Sequence, residues 1–162
     1  MVESLKGVTV KKKHLQRDVA VVGAGMSRFG MFPDKDSKDL FTEAFQSMSR
    51  SVDRGLDPHA IDALYLGNFT NDFFTHQSHW APIISDLIGH SPKPATRTEG
   101  ACASSALAFR EGVFAIASGY YDVVLVGGVE DMSKCSTEEE IVTMAHVYQG
   151  TTSLCCLINV CN

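Results

Sequence analysis

The stretch RTEGACASSALAFREG, residues 97–112, places Cys102 among small residues where a short strand passes into a helix. Gly100 permits a tight turn before the cysteine. A helix N-terminus favours the thiolate form of a thiol, because unpaired backbone N–H groups point at it. The order of strand, sharp turn, nucleophile and helix is also that of a serine nucleophile elbow. Spacing alone leaves two interpretations open, a nucleophile or a small buried residue, since cysteine is among the most buried residue types.

Four short apolar segments on either side of this stretch have the composition of buried strands. They are Val19–Val22, Ala63–Leu66, Pro94–Thr98 and Asp122–Val126. Helical segments alternate with them along the chain. This order predicts an α/β fold, a mostly parallel sheet flanked by helices.

The first predicted helix has an apolar stripe at helical spacing from Leu40 to Val52. Ser37 or Asp39 is the expected cap at its start, and Gly55 is the expected end.

Two further helices are predicted around the cysteine stretch. A weaker one runs from about Gln77 to Ile88, where Pro82 allows only a first-turn position or a broken helix. The other follows Cys102 and ends near Gly119. Its expected apolar face comprises Leu107, Phe109, Val113, Phe114 and Ala117.

Composition limits the function further. The 162 residues correspond to about one domain, and 44% hydrophobic with 20% charged residues is ordinary for a soluble protein. A net charge of −5 argues against nucleic acid as the main partner. The basic run Lys11–Lys13, near Arg17, is interpreted as a solvated arm. No apolar stretch is long enough to span a bilayer, and no secretory signal pattern is present.

The five cysteines are spaced neither as a disulfide framework nor as a zinc site. They predict reduced thiols and a cytoplasmic protein, or a peroxisomal or mitochondrial one in a eukaryote. His76 and His79 have no third ligand at a suitable spacing, so no metal is expected.

The segment VVGAGMSRFG, residues 21–30, has part of a dinucleotide-binding pattern. The third glycine of that pattern is replaced by Arg28, and no helix is predicted to begin at Gly25. We therefore expect no nicotinamide or flavin cofactor.

RTEGACASSALAFREG and the later GYYDVVLVGGVEDMSK together closely resemble the thiolase family, nearest to the sterol-carrier-protein type and its bacterial and archaeal relatives. VAVVGAGMSRFG and LYLGN resemble the first two strands of that family. The resemblance covers about Asp18 to Glu140. It implies one half of a fold whose two αβ halves enclose the active site between them.

The resemblance assigns Cys102 as the acyl-accepting nucleophile, with a coenzyme A thioester as substrate and no cofactor. The implied reaction is thiolytic cleavage of 3-ketoacyl-CoA, or Claisen condensation of acetyl-CoA, through an acyl-cysteine intermediate. Gly100, Gly127 and Gly128 are expected to shape the substrate site, with Glu130 as an orienting or a surface carboxylate. Members of the family usually act on acyl-CoA and CoA as homodimers or homotetramers in lipid metabolism.

The family's activating histidine and second cysteine belong to motifs of the forms G-H-P and C-x-G-x-G, and neither motif occurs in this sequence. The chain is therefore expected to carry the nucleophile half only. Two alternatives stay open: a non-catalytic half that binds a partner subunit, and a relative of the ketoacyl synthases.

Three segments are predicted: an N-terminal arm at 1–17, a thiolase-like N-terminal domain at 18–140, and a divergent tail at 141–162. The tail contains TTSLCCLINVCN, with Cys155, Cys156 and Cys161. It is expected to be an altered or prematurely stopped reading of a longer gene. Cys135 has no partner in the sequence pattern and is expected to take no part.

Overall fold

The computed structural model describes residues 15–133, 136 and 138, and the backbone of 154–160. The strands are β1 Val19–Met26, β2 Ala63–Gly67, β3 Ala95–Thr98, β4 Val123–Gly128 and β5 Leu154–Val160. The α-helices of the described residues are α1 Ser37–Ser51, α2 Asn71–Thr75, α3 Trp80–Leu87 and α4 Ser104–Ala117. Two short 3-10 turns, Pro58–Ala60 and Ala101–Ala103, precede β2 and α4.

The strands form one sheet in the order β1-β5-β4-β2-β3. β2 pairs in parallel with β3 and with β4, so the ends of these three strands share one edge of the sheet. β5 runs antiparallel to both of its neighbours, β1 and β4. The predicted α/β fold, a mostly parallel sheet flanked by helices, is confirmed.

β5 is an element that the sequence reasoning missed. No strand was expected within 141–162, yet Leu154–Val160 pairs with β1 on one side and with β4 on the other. The segment is apolar and includes β-branched Ile158 and Val160, the composition of a strand with neighbours on both sides. Its cysteines were considered as metal ligands, and the apolar run around them was not considered as a strand. The division at residue 140 stays a prediction.

Helix α1 follows the ordinary rules of helix formation. Asp36, rather than the predicted Ser37 or Asp39, is the N-cap, and its carboxylate accepts hydrogen bonds from the amides of Lys38 and Asp39. The Asp39 carboxylate accepts the Asp36 amide in return, which completes a capping box. The helix ends at Ser51 and not at Gly55.

The buried face of α1 supplies much of the larger core cluster. Phe41, Ala44 and Met48 are fully buried there. The rest of this cluster comes from β2, the α3 region and β4, with Trp80 among its largest side chains. Burial of large apolar side chains is the main source of folding stability.

The predicted helix over 77–88 is shorter in the structure, and a second short helix, α2, precedes it. α3 begins at Trp80, and Pro82 lies in its first turn, as the sequence allowed. His76 and His79 between α2 and α3 both have left-handed backbone angles, which interrupts the helical path. α2 was not predicted.

The glycines of β1 have a packing role. A Cβ at Gly25 would lie 2.1 Å from the Met48 amide nitrogen and 2.6 Å from the Ala44 carbonyl oxygen. The β1 backbone therefore lies directly against α1, and a side chain at Gly25 has no space. This accounts for the GAG sequence without a bound dinucleotide.

Helix α4 has the predicted range, but its buried face differs from the prediction. Ser104, Ala108, Gly112 and Ile116 face the interior. Phe109 and Phe114 are exposed, at 38% and 46%. Small residues at a spacing of four allow the helix backbone to approach the sheet, a pattern that the search for large apolar residues overlooked.

Two structural findings bear on the remaining sequence expectations. Among the helices of the described ranges, none combines the length and the hydropathy needed to cross a bilayer. Arg17 forms an ion pair of 2.6 Å with Asp122, so this end of the predicted arm packs on the fold. Lys11–Lys13 lie outside the described residues.

Candidate active site

Cys102 is exposed at the middle of the turn Ala101–Ala103, at the shared edge where β2, β3 and β4 end. Ala101, directly before it, has a φ of 52°, in the left-handed region that alanine rarely adopts. Non-glycine residues in such conformations concentrate at active sites, where the surrounding structure holds them in place. The predicted order of strand, sharp turn, cysteine and helix is therefore observed.

The hydroxyl of Ser104 holds this turn together from beneath. Its oxygen accepts the Gly100 amide at 3.1 Å and donates to the Ala101 carbonyl at 2.8 Å. The Ser104 carbonyl in turn accepts the Thr98 hydroxyl at 3.1 Å. Because Ser104 is buried, these bonds compete little with water, and they fix the backbone on both sides of Cys102.

Two glycines make room for the first turn of α4. Gly67 ends β2, Gly128 ends β4, and they are partners in the parallel register. A Cβ at Gly67 would lie 2.5 Å from the Ser105 Cα, and one at Gly128 would lie 2.1 Å from the Ser105 Oγ. Both distances are shorter than any van der Waals contact, so glycine at these positions determines how closely α4 approaches the sheet.

The predicted substrate-site residues lie at or near this edge. Gly100 precedes the turn, and a Cβ there would lie 2.3 Å from Leu107 Cδ1, so a larger residue would displace the Leu107 side chain. Its amide is engaged by Ser104. Gly127 is buried in β4, paired with Leu66. Contact of Gly100, Gly127 and Gly128 with a thioester stays a prediction.

Glu130 joins two loops at the same edge of the sheet. Its carboxylate accepts the amides of Phe69 at 2.9 Å and Thr70 at 3.0 Å, and so binds the loop that follows β2. Burial raises the pKa of Glu130 to about 7, although the two backbone hydrogen bonds and the nearby Arg97 act to lower it. Glu130 is half-buried and both of its oxygens accept backbone amides, and its role as an orienting carboxylate stays a prediction.

Arg97 holds the other side of the same loop. Its guanidinium donates to the carbonyls of Asn68 and Phe69 at 3.2 and 2.5 Å, and pairs with Asp72 at 2.9 Å. The side-chain hydrogen bond from Arg97 keeps the pKa of Asp72 below its usual range. The loop after β2 therefore has its amides bound by one side chain and its carbonyls by another.

Buried polar groups continue behind this loop. Asn71 accepts the Asp131 amide at 2.8 Å and exchanges hydrogen bonds with Ser37. Sequence reasoning missed this network. The indication available was the number of polar residues immediately after two apolar strands, in GNFTND and GGVEDMS. Side chains after neighbouring parallel strands meet at one edge.

The described histidines lie outside the Cys102 turn and outside α4. His76 and His79 are exposed, and no group of three metal-ligating side chains occurs in the described part of the chain. His90 is buried, with Nδ1 at 2.8 Å from the Ser85 hydroxyl, and burial lowers its pKa. It precedes β3 and lies at the opposite edge of the sheet from Cys102. Cys135 falls outside the described residues.

The fold and this edge define an α/β protein with an exposed cysteine on a strained strand-to-helix turn. The family model "Thiolase, N-terminal domain" matches residues 19–159. The chain therefore belongs to the thiolase family, which confirms the interpretation of the sequence. The match extends past residue 140 and includes most of β5.

Individual relatives agree with this assignment. The chain is 43% identical, over 117 residues, to an acetyl-CoA acetyltransferase of Methanothermobacter thermautotrophicus. The match covers 72% of this chain and 30% of that protein, so the chain spans about a third of its relative's length.

Solved structures confirm the fold. Human mitochondrial 3-ketoacyl-CoA thiolase, solved in complex with CoA, gives a TM-score of 0.61 at 27% identity, covering 74% of this chain and 31% of that one. A 3-oxoacyl-[acyl-carrier-protein] synthase III from Aquifex aeolicus gives 0.64 at 17% identity, covering 88% and 54%. At that identity the second likeness shows the fold alone.

Proposed function

We propose that this chain carries the acyl-accepting half of a thiolase-type acyltransferase, with Cys102 as the nucleophile. The observation that carries the proposal is the exposed Cys102 on its strained turn at the start of α4. The family match and the acetyl-CoA acetyltransferase relative support acyl-CoA as the substrate class.

The proposed step is an acyl transfer to sulfur. The Cys102 thiolate attacks the carbonyl carbon of an acyl-CoA thioester, and the carbon–sulfur bond to CoA breaks as the oxyanion collapses. CoA leaves as its thiolate and takes up a proton, and the acyl group stays on Cys102. Capture of the acyl group by an acetyl-CoA carbanion, with Cys102 as the leaving group, completes condensation. In thiolysis the Cys102 thiolate attacks the 3-keto carbon of a 3-ketoacyl-CoA instead, and the bond between C2 and C3 breaks to release acetyl-CoA as a carbanion that takes up a proton. A CoA thiolate then removes the remaining acyl group from Cys102.

The proposal is limited to what this sequence contains. The histidine and second cysteine implied by the resemblance belong to motifs that do not occur in the 162 residues. A homodimer or homotetramer and a cytoplasmic location stay predictions. The non-catalytic alternative, a half that only binds a partner subunit, predicts that Cys102 takes no acyl group.

The test is acyl labelling of the full chain with acetyl-CoA, followed by digestion and mass spectrometry. We expect an acetyl group on the peptide that contains Cys102, and its complete loss in Cys102→Ala. Cys135→Ala is the matched control and should keep the label. A label that persists in Cys102→Ala, or no label on wild-type Cys102, contradicts the proposal.

A further inference from the structure

We propose that Glu130 is a positioning residue for Cys102, acting through the loop of residues 68–72 that it binds. The inference rests on the proposed function for its chemical readout alone. The starting observation is that both oxygens of the half-buried Glu130 carboxylate, at the edge of the sheet, accept hydrogen bonds from backbone amides of another loop.

The first step of the argument is the loop itself. The Phe69 and Thr70 amides donate to Glu130, and the Asn68 and Phe69 carbonyls accept from Arg97. Arg97 of β3 and Glu130, which follows β4, therefore fix the loop that follows β2. Charge-assisted hydrogen bonds of this kind are stronger than neutral ones.

The second step connects the loop to the cysteine turn. The Asn68 amide donates to the Thr98 carbonyl at 3.1 Å, and the Thr98 hydroxyl donates to the Ser104 carbonyl at 3.1 Å. Gly67, directly before the loop, lies under the backbone of Ser104 and Ser105. A displacement of the loop therefore reaches the first turn of α4, where the Ser104 hydroxyl holds Gly100 and Ala101 directly before Cys102.

The third step concerns charge. Glu130 is surrounded by Arg97 on β3, Asp72 in α2 and the adjacent Asp131. Desolvation disfavours its ionised form, whereas the two amide hydrogen bonds favour that form, so its pKa is raised to about 7. Opening of the loop would expose Glu130 to water and lower its pKa toward the ordinary value, so protonation favours the closed loop. The loop consequently opens more readily as pH rises through 7.

The ionised Glu130 carboxylate lowers the free energy of unfolding of the whole chain, although its hydrogen bonds order the loop of residues 68–72. A carboxyl group with a pKa of about 7 in the folded chain and an ordinary value in the unfolded chain binds more protons when folded. Its contribution to stability is therefore present at acidic pH and is lost as pH rises through 7. A group that is ionised at such a cost is more common at functional sites than in structural cores.

The test compares hydrogen exchange of wild type, Glu130→Gln and the control Glu43→Gln, which removes a carboxylate on α1. We expect peptides covering 68–72 and 99–104 to exchange about tenfold faster in Glu130→Gln, and to stay at the wild-type rate in the control. Faster exchange at 68–72 with no change at 99–104 overturns the inference, because the loop then acts locally.

A second measurement needs no variant. In wild type, after correction for intrinsic exchange rates, both peptides should exchange faster at pH 8 than at pH 6, because ionisation of Glu130 favours the open loop. Glu130→Gln should show no such difference. Equal protection at both values of pH in wild type overturns the inference even if the variant fails to fold.

The chemical readout separates this inference from the proposed function. Acetylation of Cys102 should slow about tenfold in Glu130→Gln and remain unchanged in Glu43→Gln. If wild type takes no acetyl group, the proposed function fails while the exchange data still decide the role of Glu130. If all three proteins acetylate at one rate, the function stands and the positioning role fails.

Discussion

Helices α1 and α4 both pack on the sheet, but they are built in opposite ways. α1 begins with a capping box at Asp36 and buries large side chains such as Phe41 and Met48. α4 begins without a side-chain cap, follows the strained Ala101, and buries small residues while Phe114 faces outward.

This difference separates the residues that stabilise the fold from those that expose Cys102. Large buried side chains and a satisfied helix start lower the free energy of the folded chain. The small residues of α4 contribute less burial energy, but they allow its first turn to pack directly against Gly67 and Gly128 at the ends of β2 and β4. The strained turn then presents Cys102 at the edge. We expect changes in α1 to alter stability alone, and changes around α4 to alter the reactivity of Cys102 as well.

The largest expected effect is a loss of stability, and it is tested with one aromatic substitution on each helix. Phe41→Ala removes a fully buried ring and should lower the free energy of unfolding by about 3–5 kcal/mol. Phe114→Ala, at 46% exposure, should cost less than about 1 kcal/mol. Urea denaturation measures both. Equal losses from the two variants would show that α4 buries its aromatic face as α1 does.

The next effect distinguishes the two close helix–sheet contacts. Gly67→Ala forces a Cβ against the backbone of Ser105, and Gly25→Ala forces one against the backbone of Met48. Each should lower stability by about 1–3 kcal/mol through overpacking. Acetylation of Cys102 should slow in the first variant only. A comparable slowing in Gly25→Ala would break the proposed separation between the two regions.

The same contrast explains how much of the molecule could be predicted from its sequence. The α1 stripe, the ranges of β2 and β4 and the α/β order follow local periodicity, which a sequence displays directly. Cys102 and its turn were predicted because small residues and a glycine mark a sharp turn beside a helix start. The family resemblance then supplied its role.

The missed features depend on contacts between distant segments. The outward position of Phe114 depends on how close α4 lies to β2 and β4, which local periodicity does not report. The sequence offered Glu130 as an orienting carboxylate, but not its partners, the amides of Phe69 and Thr70 about 60 residues earlier in the chain. β5 was overlooked because its cysteines were weighed as ligands.

The smallest expected effect concerns the two helix starts. Asp36→Ala removes the cap of α1 and should cost about 1 kcal/mol in urea denaturation, with Cys102 acetylation unchanged. Asp34→Ala, in the exposed loop before it, is the control and should leave both measurements unchanged.

Ser104→Ala is the counterpart at α4. It removes the hydroxyl that accepts the Gly100 amide and donates to the Ala101 carbonyl, at a similar cost of about 1 kcal/mol. The strained φ of Ala101 then loses the bond that holds it, so the turn relaxes and acetylation of Cys102 should slow. Because the two variants lose similar stability, a difference in acetylation between them reports position and not unfolding. Equal acetylation would mean that the turn keeps its shape without Ser104, and that the strain at Ala101 has another support.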